Sequence, residues 1–335
     1  MTTTTAPKPL GKGRNVKSAL SRNALILIAI AMFIFCVAIN PNFIEAFTIS
    51  SLLQEIAYMS ILAMGMTFVI LTGGIDLSVG AVMALSSTII ALFLKNTPFD
   101  NAAASIVVAI AIAFVVCIGI GAFNGFCVTM LRLPPMVTTL AMTWVAKGIA
   151  ESVSKGPPIA IKLSEFKEFF NYKIGGLVPV TFIFAVVLLL FLSNMLKNRR
   201  SGREFYAVGS NQYAAFISGT NTKGVLMKAY IINALFAGIA GVFIAAFTGS
   251  GFAGLGTDYE LYTIAAVVMG GVAMTGGEGK MYLAFFGVII LRLLNKVVVY
   301  SGLSSVSGFI EGIIIGGILI LVLFINSSRK GGAKA

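Results

Sequence analysis

The residues best suited to chemistry stand at Thr72-Gly73-Gly74-Ile75-Asp76-Leu77-Ser78-Val79-Gly80, where a single carboxylate lies between two long apolar runs and is flanked by glycines. A carboxylate held in apolar surroundings is costly, so its presence there points by default to function. Glycine on either side allows turns and close approaches that a side chain would block. Asp76 is also placed to cap the helix that follows, its oxygens accepting free N–H groups of the first turn. Capping leads on the residues alone, and the two roles are compatible. A second acidic group, Asp258-Tyr259-Glu260, follows Gly249, Gly251, Gly254 and Gly256. It reads as a flexible outer segment that closes the mouth of a pathway or meets an external protein, or equally as a solvated glycine-rich loop. Arg292 and Lys296 share a helix face at i, i+4, and Glu311 on the next apolar run is their expected counter-ion, a structural pairing.

Other chemistries lack their residues. Gly276-Gly277-Glu278-Gly279-Lys280 fails as a nucleotide-binding loop, because Met274 occupies its first glycine position and Met281 its Ser/Thr position. Histidine is absent, which removes the commonest proton relay, zinc ligand and serine-activating base. Cys36, Cys117 and Cys127 lie in apolar runs without metal-ligand spacing, and free thiols are expected. No enzyme, bound cofactor or metal site is expected of this chain; if ATP drives it, another chain must bind the nucleotide.

Composition says what must hold these groups in place. Of 335 residues, 58% are hydrophobic and 11% charged, against about a quarter charged in a soluble domain. Apolar runs fall at about 24–39, 56–72, 77–94, 102–131, 136–150, 177–196, 229–247, 261–275, 281–299 and 308–325. The expected fold is an all-α polytopic membrane protein of about ten transmembrane helices, eight at the least. The runs at 136–150 and 261–275 are short, and the second contains Gly270-Gly271, so both are candidates for broken or re-entrant helices. Asn40-Pro41-Asn42 follows the first run in place of a small-residue cleavage site, which predicts an uncleaved first helix.

An even number of spans puts both termini on one side. The net charge of +12 then reads as orientation rather than as nucleic-acid binding, since sixteen of the 24 basic residues fall on that side, making it cytoplasmic. Lys147, Arg292 and Lys296 lie inside runs near their outer ends, where long side chains are expected to snorkel. The chain divides into a basic tail at 1–23, a membrane domain at 24–325 and a tail at 326–335. In the outer segment 151–176, apolar residues at 163, 166 and 170 predict a short helix lying on the membrane surface. The long cytoplasmic loop at 197–228 holds a second, with Asn211 as N-cap and Gly219 as its stop; a plain basic loop attracted to anionic lipid is the alternative. A weak repeat places Ser60 to Gly74 over Thr263 to Gly277, with seven identities in fifteen positions and both copies running in the same direction.

Several ordered blocks resemble a known family: the permease subunits of bacterial ATP-binding-cassette importers for monosaccharides of the ribose, xylose, arabinose and galactose type. They are Gly65 to Gly80; Gly121 to Gly125 with Asn124; Leu133-Pro134-Pro135 with Thr138-Thr139-Leu140; Gly202-Arg203 with Ala207 to Asn211 and Ala214 to Gly219; and Tyr259-Glu260-Leu261 with Ile264 to Gly271. The resemblance runs from about Asn40 to about Leu323. It implies a multi-pass protein of the bacterial inner membrane that moves a pentose or hexose inward as a homodimer. A cytoplasmic ATPase carrying ATP and magnesium, and a periplasmic or lipid-anchored sugar-binding protein, are the implied partners. Gly74, Asp76, Ser78, Asn124, Tyr259 and Glu260 are then expected at the translocation path or its gate. Gly202, Arg203, Gly209, Asn211, Ala214, Ala215, Ser218, Gly219 and Asn221 are expected to form the coupling segment that docks on the ATPase. Ser210, Gln212-Tyr213, Thr220 and Tyr262 depart from the family pattern and bear on partner identity and on the outer acidic segment. A secondary transporter driven by an ion gradient is the alternative.

Overall fold

The computed structural model describes residues 24–96 and 99–302 throughout, and 310, 312–314, 316, 317 and 320 beyond them. The helices in its apolar runs are α1 (Ala24–Ile39), α2 (Ala46–Leu71), α3 (Val79–Asn96), α4 (Ala102–Thr129), α5 (Pro135–Ser154), α7 (Val180–Asn198), α10 (Thr222–Thr248), α11 (Tyr259–Met269) and α12 (Met281–Tyr300). Short helices α6 (Ser164–Asn171), α8 (Arg200–Ser210) and α9 (Gln212–Ile217) sit between them. Two antiparallel two-stranded pairs complete the connections at one end: β1 (Ile159–Ala160) with β4 (Ser250–Gly251), and β2 (Lys173–Ile174) with β3 (Val178–Pro179).

The apolar runs locate these helices well. Nine of the ten expected runs hold a helix among the described residues, and six helices are long and apolar enough to cross a membrane: α2, α3, α4, α7, α10 and α12. The run at 308–325 falls largely outside the described residues, as do both tails. Helix α2 starts ten residues earlier than the run at 56–72, because Ser50, Ser51, Gln54 and Glu55 lower hydropathy without breaking a helix. Of the two candidates for a break, 136–150 is one continuous helix of 20 residues, started by Pro135 in its first turn and ended by Lys155 in the left-handed conformation. The other is truly short: α11 has 11 residues and stops at Gly270-Gly271.

The core forms where α10 packs against α2, α3 and α4. Small residues set the closeness of that contact, as membrane helices lack a hydrophobic force between them and rely on fitted surfaces. A Cβ at Gly241 of α10 would lie 2.6 Å from the Met83 carbonyl oxygen of α3, so only glycine fits. Helix α6 turns Phe166 fully inward, with its ring 5.0 Å from that of Phe170, which meets Phe243 of α10 at 5.9 Å. Its apolar side therefore packs on the bundle rather than lying on lipid. Asn171 fixes its end, accepting from Gln54 Nε2 at 2.7 Å and donating to the Ala246 carbonyl at 2.7 Å.

Arg292 and Lys296 do not snorkel. Lys296 Nζ lies 2.8 Å from Glu55 Oε1, Arg292 Nη1 lies 3.8 Å from Glu55 Oε2, and the Arg292 guanidinium sits over the rings of Tyr259 and Tyr262 at 5.6 and 5.9 Å. The counter-ion is thus Glu55 of α2; Glu311 lies outside the described residues. Removing the largely buried Glu55 carboxylate takes from Lys296 its partner at 2.8 Å, at a cost of about 3 kcal/mol. Glu55→Gln should therefore lower the thermal unfolding midpoint of the purified protein, and adding Lys296→Met should restore part of the loss. An unchanged midpoint in Glu55→Gln would show that the cluster contributes nothing to stability.

Candidate functional site

Helix α2 ends in a turn that reverses the chain back into the protein. Gly73 takes φ +79°, its N–H donates to the Ile70 carbonyl at 2.9 Å, and the Gly74 N–H donates to the Val69 carbonyl at 3.0 Å. This is the 5→2 and 6→1 pair of a Schellman stop. The segment that follows is irregular and largely buried, so its backbone needs partners within the protein. Thr139 of α5 accepts from the Leu77 N–H at 3.0 Å, and Thr143 donates to the Leu77 carbonyl at 2.9 Å.

Asp76 is 1% exposed and holds the centre of this segment. Its Oδ1 accepts from the Ser78 N–H at 2.9 Å and from Ser78 Oγ at 2.6 Å, while Oδ2 accepts from Asn233 Nδ2 of α10 at 2.9 Å. Asn124 Nδ2 of α4 donates to Ser78 Oγ at 3.1 Å. The carboxylate therefore joins three elements through neutral donors. Its capping role is indirect: the Ser78 carbonyl accepts the first intrahelical bond of α3 from Val82, so Ser78 holds the N-cap position and Asp76 steadies it. Three buried polar atoms beside it, Asn124 Oδ1, Asn233 Oδ1 and Tyr230 Oη, have no hydrogen-bond partner within the protein. Gly74 lets Tyr230 in, since a Cβ there would lie 2.7 Å from its hydroxyl. A cavity of about 710 Å³ reaches from Gly73, Gly74 and Tyr230 past Arg132 to Tyr213 and Phe216 of α9.

Tyr259 and Glu260 are not a loose loop. They form the first turn of α11, where the Tyr259 hydroxyl lies 3.2 Å from that of Tyr58. A Cβ at Gly80 would lie 2.5 Å from Glu260 Oε2, so the carboxylate sits against the first turn of α3, the favourable end of the helix dipole. It comes within two residues of Ser78.

The expected coupling segment forms two helices. Asn211 caps α9 by accepting from the Ala214 N–H at 2.9 Å, and Asn221 caps α10 by accepting from Gly224 at 3.0 Å. Gly219, at φ +82°, ends α9 with another Schellman pair: Gly219 N–H to Phe216 and Thr220 N–H to Ala215, each 3.0 Å. Ser218 Oγ donates back to the Ala214 carbonyl, Ala215 is buried and Ala214 exposed. In α8, Gly202 lies flush against Met195 and Leu196 of α7, and Arg203 donates to the Asn198 carbonyl at 3.2 Å. At Gly209 the end of α8 touches bare backbone: a Cβ there would overlap the Leu71 carbonyl oxygen and lie 2.5 Å from Gly277 N. That same Gly277 N–H donates to the Leu71 carbonyl at 2.9 Å, and Gly73 lies against Thr275. The two Thr-Gly-Gly turns of the repeat thus meet at Gly209. Tyr58 pairs with Tyr259 near the other end, so both copies run in the same direction. The copies are unequal, since α2 continues to Leu71 whereas α11 ends at Met269, five residues short of the matching Met274.

A family model described as the permease component of branched-chain amino acid transport systems matches residues 48–323. The chain belongs to this permease family. It is 34% identical over 295 residues to the ribose import permease of Bacillus subtilis (strain 168), covering 87% of this chain and 88% of that one. It is 32% identical over 308 residues to the ribose import permease of Escherichia coli (strain K12), covering 91% and 93%. With the fructose import permease of Bifidobacterium longum (strain NCC 2705), identity is 32% over 318 residues, covering 90% and 87%. No solved structure matches the chain. The family and its apolar helices make it a multi-pass protein of the bacterial inner membrane whose work is transport rather than catalysis.

Within the permease, the expected path residues gather around the start of α3, with Tyr259 set apart by its contacts to Tyr58 and Arg292. Asn233, Tyr230, Thr139 and Thr143 complete the cluster without having been singled out as site residues. A lone amide in the apolar run at 229–247 was the available signal for Asn233. The fit at Gly74 gives a test. Gly74→Ala should destabilise the permease by about 2 kcal/mol through overpacking, and Tyr230→Phe in the same chain should recover much of it, read as thermal unfolding midpoints. No rescue by the second change would disprove the contact.

Proposed function

We propose that this chain is the membrane-spanning subunit of an ATP-driven importer that moves a monosaccharide, a pentose or hexose, inward. The similarity to ribose and fructose import permeases over most of their length carries this reading. In it, two copies form a homodimer, a cytoplasmic ATPase holds ATP and magnesium, and a periplasmic or lipid-anchored binding protein delivers the sugar. Both termini face the cytoplasm, and so do α8 and α9.

The buried cluster at Asp76 acts as a gate. Its spare acceptors on Asn124 and Asn233 and the spare hydroxyl of Tyr230 suit a polyhydroxylated solute, which offers donors and acceptors in pairs. These atoms are buried, so the segment between α2 and α3 must shift before a sugar meets them. The ATPase docks on α9 and the adjoining end of α8, and their movement reaches both Thr-Gly-Gly turns through Gly209. That is rigid-body coupling and needs no catalytic group in this chain. An ion-gradient mechanism gains nothing from Asp76, whose oxygens are already engaged by Ser78 and Asn233.

Two results test the proposal. In proteoliposomes holding the assembled complex and an internal ATP supply, Asp76→Ala should reduce uptake of labelled ribose or fructose to background while assembly is kept. Full uptake would remove Asp76 from the gate. Deleting Asn211 to Gly219 should leave the permease inserted but unable to retain the ATPase on purification; retention would place coupling elsewhere.

A further inference from the structure

A second cavity, of about 880 Å³, opens away from the Asp76 cluster, between the last turn of α7, helix α8 and the start of α12. Among the described residues, Lys197, Arg203 and Lys280 line it and no acidic side chain does. Its walls are fixed. Gly202 allows α8 to lie against the Met195 and Leu196 backbone, Arg203 is tethered to the Asn198 carbonyl, and Tyr206 Oη donates to the Gly279 carbonyl at 3.0 Å, closing the floor. Burial pushes the Tyr206 phenol up from its ordinary value, which keeps it a donor. The nearby Glu204 is taken by Arg200 at 3.2 Å and leaves the three cations uncompensated by it.

The cavity is also the end of an apolar stripe. Val187, Leu190 and Phe191 lie at helical spacing along α7 ahead of Asn194, which lines the cavity, and they are 60, 65 and 63% exposed. In a membrane protein that stripe meets acyl chains, and the cationic cavity then stands at headgroup level. Basic pockets between spanning helices take anionic headgroups in this manner. A soluble phosphate compound would use the cations alone; a phospholipid uses both parts.

We propose that this cavity binds an anionic phospholipid, its phosphate among Lys197, Arg203 and Lys280 and its acyl chains along the Val187, Leu190 and Phe191 face of α7. Bound there, the lipid bridges α7, α8 and α12, and so steadies the helix whose other end meets Leu71 and Gly277.

The test is native mass spectrometry of the full-length protein in mild detergent, titrated with phosphatidylglycerol or with phosphatidylcholine of the same chain length. Phosphatidylglycerol should be retained preferentially, and Lys197→Gln, Arg203→Gln and Lys280→Gln should each weaken retention about fivefold. A control carrying Arg199→Gln, Lys223→Gln and Lys228→Gln loses three positive charges outside the cavity and should keep its lipid. Equal loss in that control, or equal retention of phosphatidylcholine, would overturn the site in favour of diffuse surface charge. Displacement of phosphatidylglycerol by equimolar glycerol 3-phosphate would show a phosphate site without a lipid tail. Loss of the lipid whenever the ATPase co-purifies would make the cavity a protein-docking surface. Measuring retention in the single variants, each checked for a monodisperse elution profile, separates lost binding from lost folding.

Discussion

A chain that leaves one helix and enters the next inside a packed bundle must satisfy its own backbone. Apolar neighbours offer no hydrogen bonds, so each buried peptide group freed between α2 and α3 has to find a polar partner nearby. Much of this permease is arranged around that requirement. Thr139 and Thr143 bring α5 to Leu77, Asp76 organises Ser78 at the head of α3, and Asn233 and Asn124 draw α10 and α4 to the same point. Polar residues of α4, α5 and α10 thus meet at one short stretch of irregular chain. The same arrangement leaves polar atoms over, and a segment held by side-chain bonds alone is easier to move than a helix.

Helix α2 is held to the α11–α12 unit at two levels by different forces. At one end, Glu55 accepts the charges of Arg292 and Lys296, and the faces of Tyr259 and Tyr262 take up part of the arginine's field. At the other, the contact is backbone on backbone, Gly277 to Leu71, with Gly209 of α8 pressed against both. The charged contact resists separation yet tolerates small rotations, because long side chains can follow. The glycine contact has no side chain to absorb a displacement. In the proposed mechanism, motion imposed on α8 passes to the segment between α2 and α3, while the Glu55 end serves as the fixed side.

Local signals in the sequence described local structure well. Asn211 and Gly219 bracket α9 because a cap and a left-handed stop act within a few residues, and the apolar runs mark nine helices because hydropathy is itself a local sum. Pairings were less legible. Glu55 lies 241 residues from Lys296 and just outside the apolar run assigned to its helix, so Glu311, on the neighbouring run, was the natural choice of partner. Asn233 lies 157 residues from Asp76, and nothing near it tells which helix it faces. The acidic segment at 258–260 was read as flexible from its glycines. Those glycines instead allow close packing, as Gly80 and Gly256 do where their backbones meet. The repeat was visible as identities, but its unequal helix lengths were not, since Gly270-Gly271 ends one helix while the matching positions in the other, Thr67 and Phe68, continue it.

The shortness of α11 has a further consequence for the membrane itself. Eleven residues rise about 16 Å, against a hydrocarbon core of about 30 Å. The chain entering and leaving this helix, at 249–258 and 270–280, therefore carries peptide groups deep into the protein from opposite ends. Helix α11 alone therefore covers about half the length that a full span needs, and the segments on either side of it make up the rest. Those flanking segments are fixed by close backbone packing, of Gly80 with Gly256 before the helix and of Gly276 with Gly209 after it, so the chain is held most tightly where its helix is shortest.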